Sequence, residues 1–451
     1  MTHWTRLAIL LIAAATAIVA ACGGGGNGEA GVGTGGSGYA VGTVTGFGSI
    51  IVDGVRWDER AARIQVESDP ASGTVPATVK LGQRVKIEYE TEPEARVIEV
   101  EAAAVGPVQS LDSSGPRPSL RVAGQLVQVN LDFDAGPVTV FEGYASAAGI
   151  APGDIVEVHG VPIARGNTYA LQASRIERRN ALAGGLVRVQ NVVQQFDAAA
   201  RTLRLGDITV NIAAASVLPA GATLANGRTV TVWGRPLAGA GPTLVADFVR
   251  LRDLPRSASA PTPPTPPTPP DPPTPPDPPT PPGQPTPPDP PTPPGQPTPP
   301  DPPSPPTTTS PIELSGTVTG WDAVARTFDL GGVRVDAAGA SVVPGNLAIA
   351  NGSFVVARGL VLPDGTLAAT QVRIRKKGIT PGFESEVTLA GPISDFVSLA
   401  DFRVRGVRVD ASRATQRACS GNNVTIGNGL DVEVGGAIGG DKIVAELLVC
   451  R

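Results

Sequence analysis

The chain is poor in the residues that carry most enzyme chemistry. Among its 451 residues are two histidines, three cysteines and one methionine, and 4% are aromatic. His3 lies at the extreme N-terminus, so His159 is the one imidazole in the body of the chain. That excludes multi-histidine metal sites and would force any Ser-His-Asp triad to use His159. No long stretch after the first 21 residues keeps a 3.6-residue apolar period, so a helical fold is excluded. The glycines meet no strand-to-helix junction and no Gly-Lys-Ser/Thr, which leaves no phosphate-cradling loop. A formal charge of −5 with so few aromatics is unsuited to nucleic acid, whose binding needs basic grooves and stacking platforms. No cofactor and no metal is expected.

Glycine and proline, by contrast, are abundant, at 55 and 47 residues. Length alone suggests about three domains at roughly 150 residues each, but the prolines are unevenly spread. Of the 47, 29 fall between Pro261 and Pro306, which leaves 18 for the remaining chain. Residues 254–311 therefore read as a polyproline II linker with no core of its own, since dense proline fixes φ and removes donors. At about 3.1 Å per residue the stretch from Pro261 to Pro306 would extend on the order of 140 Å. Gly283-Gln284 and Gly295-Gln296 are its flexible points, and Asp271, Asp277, Asp289 and Asp301 keep it solvated. A Pro-x-x-Pro docking role is disfavoured because the stretch from Pro261 to Pro306 carries no basic residue.

Residues 1–21 carry Arg6 and then an apolar run from Leu7 to Ala21. The run is too short for a permanent membrane helix and reads as an export signal. It ends Val19-Ala20-Ala21-Cys22, which resembles the lipobox of bacterial lipoproteins. The resemblance implies that Cys22 becomes an acylated N-terminus and the protein's membrane partner, with Gly23 after it implying outer-membrane delivery. An ordinary secretory signal beside a cysteine is the alternative. Residues 22–39 supply the lipidated Cys and a Gly-rich leash. Loss of Arg6 would take the formal charge from −5 to −6.

The body is self-similar at a period of roughly 65 to 75 residues. A Gly-x-Val opening recurs at Gly42, Gly106, Gly185 and Gly316, with Gly391-Pro392-Ile393 as a variant. A strand closing in Val-x-Val-Asp or similar recurs at Gly54 to Asp58, Gly332 to Asp336 and Gly406 to Asp410. A Gly-x-x-Val-x-Val element begins at Gly82, Gly153, Gly227 and Gly429, with a shortened form at Gly352. Period-two alternation bounded by Gly, Asp and Asn indicates half-buried antiparallel strands. The expected fold is all-β: five small OB-like, five-stranded Greek-key barrels at 40–103, 104–180, 181–253, 312–377 and 384–451. They would stand in two groups joined by the polyproline spacer, with small β-sandwiches as the alternative. The wording from Gly46 to Asp58, GFGSIIVDGVRWD, closely resembles the opening of the bacterial domain-of-unknown-function 5666 family, specifically over the first repeat and as a thinner pattern in the others. The resemblance implies a small all-β envelope domain and supplies no catalytic residues.

Cys419 and Cys450 are the two remaining cysteines, and an even pair in an exported chain points to a disulfide. Without C-x-x-C spacing or a nearby His, a redox or metal role is the weaker reading. His159 closes the strand Val156-Glu157-Val158 and is expected at a strand end on the surface, equivalent to Tyr89, Trp233, Gly359 or Gly435. Asp58, Asp336 and Asp410 are read as turn formers rather than Ca²⁺ ligands, because dense Asp/Asn/Gly spacing is missing. The preceding Arg56, Arg334 and Arg408 should point outward and pair across strands.

These features predict a non-enzymatic, lipid-anchored bacterial envelope protein. Three modules would lie near the membrane and two be held outward on the rod, with binding of a protein or glycan through module faces, strengthened by multivalency. The alternative is a periplasmic ligand-binding or accessory lipoprotein of an export or cell-wall complex. An enzyme would have to work with carboxylates alone.

Overall fold

The computed structural model describes residues 38–70, 73–115, 117–237, 243–252, 311–377, 380, 385–419 and 424–451. The export signal, Cys22, the leash and the proline tract lie outside the described residues. What is described is β-strand with three short 3-10 turns.

The fourth repeat shows how each unit is wired. Its long opening strand, Ile312–Asp322, pairs antiparallel with Thr327–Leu330, which pairs antiparallel with Val333–Asp336. Val333–Asp336 runs parallel to the last strand, Leu367–Ile374, and so does the short strand Ser341–Val343. Phe354–Val361 pairs antiparallel with both the last strand and the opening one. The second, third and fifth repeats reproduce this order with six strands each. The expected five antiparallel strands are thus corrected to six with parallel pairings to the last. The sixth is a three-residue strand such as Ser341–Val343, too short to leave a periodic trace in sequence.

A Gly bulge bends the final hairpin in four repeats. A Cβ on Gly160, Gly234, Gly359 or Gly436 would stand 2.0 to 2.3 Å from the carbonyl oxygen of the facing strand. The residue before the bulge is His159, Trp233, Arg358 or Gly435, so Arg358 rather than Gly359 is the counterpart of His159.

The expectation of separate small barrels in two groups is overturned, and separate sandwiches with it. The strands join into two large sheets, of 19 and 12 strands, through which the chain winds as a β-solenoid-like array. The larger sheet contains the first, fourth and fifth repeats, from both sides of the proline tract. Gly38–Phe47 runs parallel to Ile312–Asp322, with Tyr39 opposite Ile312, and parallel to Val387–Ser398, with Phe47 opposite Leu389. The smaller sheet joins the second and third repeats, with Arg188 opposite Val105.

Packing follows the same plan. The first and fifth repeats share one hydrophobic core in which Val44, Trp57 and Ile87 pack with Leu389, Phe402, Val434 and Leu448. The physical cause lies in the opening strands, which have ten to twelve residues. They are long enough to pair within their own repeat at one point and with a neighbour at another. Gly46 makes the approach possible, because a Cβ there would lie 2.2 Å from the carbonyl oxygen of Thr388. Gly46→Ala should therefore cost about 1–3 kcal/mol of stability by overpacking. A urea titration unchanged from wild type would contradict the contact.

Candidate functional site

The sequence spends its polar residues at two kinds of place, and the turns come first. Asp58, Asp336 and Asp410 each accept the backbone N–H two residues on, at 3.0, 2.9 and 3.1 Å. Asn130 and Asn211 do the same in the second and third repeats, at 3.2 and 2.9 Å. One Asx turn thus closes the third strand of all five repeats. No group of three or more His, Cys, Asp and Glu side chains among the described residues is placed to hold a metal ion. Arg56 is exposed and lies 3.9 Å from Glu433; Arg334 reaches the Thr327 hydroxyl; and Arg408 pairs across the hairpin with Asp401 at 2.8 Å.

The second place is the junction of the first three repeats. Glu67, buried in Arg63–Asp69, receives Arg250 at 2.7 Å and Arg252 on its other oxygen. Its carbonyl accepts Arg188 at 3.1 Å. Arg188 and Arg252 stand over the buried Trp233 ring at 5.0 and 5.7 Å. Burial, then the like charge of Arg252, pulls the Arg188 guanidinium down to about 10.

His159 belongs to this junction, which corrects its expected surface position. The ring is fully buried, with Nδ1 2.9 Å from the Glu101 carbonyl and Nε2 2.9 Å from the Glu157 carboxylate. Each ring nitrogen thus has its own partner. The surface expectation failed because the neighbouring repeat covers this strand end: Ala103 donates its N–H to the Val158 carbonyl at 2.8 Å. Arg179 holds the other Glu157 oxygen at 2.7 Å. Burial pushes the Glu157 carboxyl up, but the hydrogen bonds and charges of His159 and Arg179 outweigh it and hold it at about 2, against an ordinary 4.5. The folded chain then binds fewer protons than the unfolded one. This contribution to stability is complete above the ordinary value and is lost as pH falls toward about 2. Glu157→Gln should flatten that part of the acid limb of the urea midpoint against pH. Superimposable limbs for the two proteins would refute the assignment.

Among the concave spaces between repeats, two bring charged side chains together with apolar ones. The central one, about 260 Å³, is lined by Arg84, Glu99, Glu101, Arg252 and Ser315 among others. Arg84 is buried and donates to the Ser315 hydroxyl and carbonyl at 3.0 and 2.9 Å, tying the first repeat to the fourth. Burial lowers its guanidinium and raises the Glu99 carboxyl, which faces Glu101.

The larger space is a groove of about 780 Å³ between the first, second and fifth repeats. Phe47, Val79, Leu81, Phe141, Tyr144 and Val407 form its apolar wall. Its cations are Lys80, Arg175, Arg403, Arg405 and Arg408, and its carboxylates Glu142 and Asp441. The size lies within the range of small-molecule sites. This groove is the candidate functional site. The sequence reading missed it because its walls come from residues as far apart as Phe47 and Asp441. One local signal was present: Arg405 occupies a hairpin turn where the other repeats have Asp53, Ala123, Gly206 and Gly331.

Cys419 and Cys450 form a disulfide at a sequence separation of 31. Cys22 lies outside the described residues.

Three stretches, residues 105–177, 192–250 and 315–373, match the family described as Domain of unknown function (DUF5666). The chain therefore carries three repeats of this domain, its second, third and fourth. The expectation that the likeness would be strongest in the first repeat is corrected. That repeat departs from the common wiring, with the antiparallel pair Arg63–Asp69 and Gly73–Pro76 where the others place one short strand. A comparison with curated proteins finds no match.

Proposed function

We propose that this chain is a non-enzymatic, lipid-anchored protein of the bacterial cell envelope that binds a ligand through the groove between its first, second and fifth repeats. The observation that carries the reading is where the reactive side chains sit. The body's one imidazole has both ring nitrogens engaged in the interior, while the groove is walled by aromatic and aliphatic side chains beneath arginines. Such a surface suits holding a ligand more than transforming it. The resemblance of Val19 to Cys22 to a lipobox supports anchoring through Cys22, and Gly23 supports the outer membrane.

Two experiments test the halves of this reading. Labelled palmitate should enter the wild-type protein and not Cys22→Ala, which should leave the membrane fraction; continued membrane attachment would refute the anchor. A photo-crosslinking residue at the exposed, groove-lining Thr78 should capture an adduct in intact cells. Failure to capture one, with capture at no other groove position, would refute binding there. A periplasmic accessory role remains the second reading, favoured if protease added to intact cells leaves the protein whole.

A further inference from the structure

Four of the five groove cations already have carboxylate partners. Lys80 lies 2.8 Å from Glu142 and 2.9 Å from Glu177, and Arg175 lies 3.0 Å from Glu177. Arg403 lies 3.4 Å from Asp395, and Arg408 lies 2.8 Å from Asp401. Arg405 differs. Its Nε donates to the Ala390 carbonyl at 2.9 Å and its guanidinium stands 5.8 Å from the centre of the Phe47 ring, yet it forms no ion pair among the described residues. The rest of its planar fork is open to an anion.

The backbone supplies an independent observation. Arg405 and Gly406 are the two loop residues between Asp401–Val404 and Val407–Asp410, with φ of +49° and +77°. A two-residue hairpin loop with both φ values positive favours Asn-Gly, and arginine at its first position is strained. The fold thus holds a cation at the mouth of an apolar groove by a turn that another residue would make more easily.

We propose that the groove is a site for a monoanion with an apolar body, a fatty-acid-type carboxylate, its head on Arg405 and its chain along Phe47, Val407 and Phe141. One unpaired guanidinium matches one carboxylate, so a polyanion gains no further partner. The volume exceeds what an inorganic anion needs, and the wall would be wasted on one. This inference rests on the groove being the binding site and specifies what enters it.

The probe is laurate, titrated calorimetrically into the full chain carrying Cys22→Ala and purified without detergent. Acetate supplies the head without the chain, and dodecyl maltoside the chain without the charge. Laurate should bind at least tenfold more tightly than either. Arg405→Asn, which suits the turn and so keeps the fold, should lose at least tenfold in laurate affinity. Ala145→Trp, which fills the groove from an exposed position and leaves Arg405 in place, should lose it as well. Equal binding of dodecyl maltoside and laurate, equal binding of acetate and laurate, or an Arg405→Asn affinity like wild type would each overturn the proposal. A Thr78 adduct that proves to be protein or glycan, with no laurate binding, sinks this inference and leaves groove binding standing. Absence of both sinks the two together.

Discussion

Replacing Glu67 with alanine should destabilise the fold by about 3–5 kcal/mol, the usual cost of removing one partner from a buried ion pair. The side chain is 4% exposed and is shared by Arg250 and Arg252, with Arg188 on its carbonyl. Among the described carboxylates Arg252 would keep the more distant Glu99 and Glu101, at 3.7 and 3.8 Å. Like-charge repulsion between Arg188 and Arg252 would then act without its nearest compensation. Glu67→Gln keeps the volume and one acceptor and should cost less than the alanine. Urea denaturation at neutral pH gives both values; a loss under about 1 kcal/mol for Glu67→Ala would mean that the junction does not hold the first three repeats together.

The second large effect concerns the disulfide. Opening the 31-residue loop between Cys419 and Cys450 should cost about 3–4 kcal/mol on the chain-entropy estimate. The bond ties the region after Thr415–Arg417 to Lys442–Cys450, which those three residues pair with in parallel. Because both cysteines lie in the core shared by the first and fifth repeats, the loss should also reach Trp57 in the first repeat. Cys419→Ser with Cys450→Ser should lower the urea midpoint reported by Trp57 fluorescence in variants whose other tryptophans are replaced. A midpoint indifferent to the bond would show that the two repeats unfold independently.

Much of the local structure was legible in the sequence, because it is periodic. Alternation marked the strands, the recurring Gly-x-Val and Val-x-Val-Asp marked the repeats, and Asp58, Asp336 and Asp410 announced turns that the backbone N–H groups confirm. The cysteine count was enough to pair Cys419 with Cys450. What escaped was every relation between repeats. Alternation says which face of a strand is apolar and is silent about which strand lies beside it, so Gly38–Phe47 gave no sign of pairing with Ile312–Asp322 across the proline tract. His159 was misplaced for the same reason: its partners include the Glu101 carbonyl, 58 positions earlier. The groove was invisible until the first, second and fifth repeats were brought together. Even there, Arg405 was distinguishable as the one arginine at the first loop position of that hairpin turn.

The central claim is that the repeats before and after the proline tract form one body, with a shared sheet and, for the first and fifth, a shared core. A protease site inserted at Gly283-Gln284 lets the chain be cut once, without denaturant, into its two halves. The account predicts that the cut halves elute together on size exclusion at the position of the uncut chain and separate only in urea. Elution as two folded, independent fragments in native buffer would contradict it.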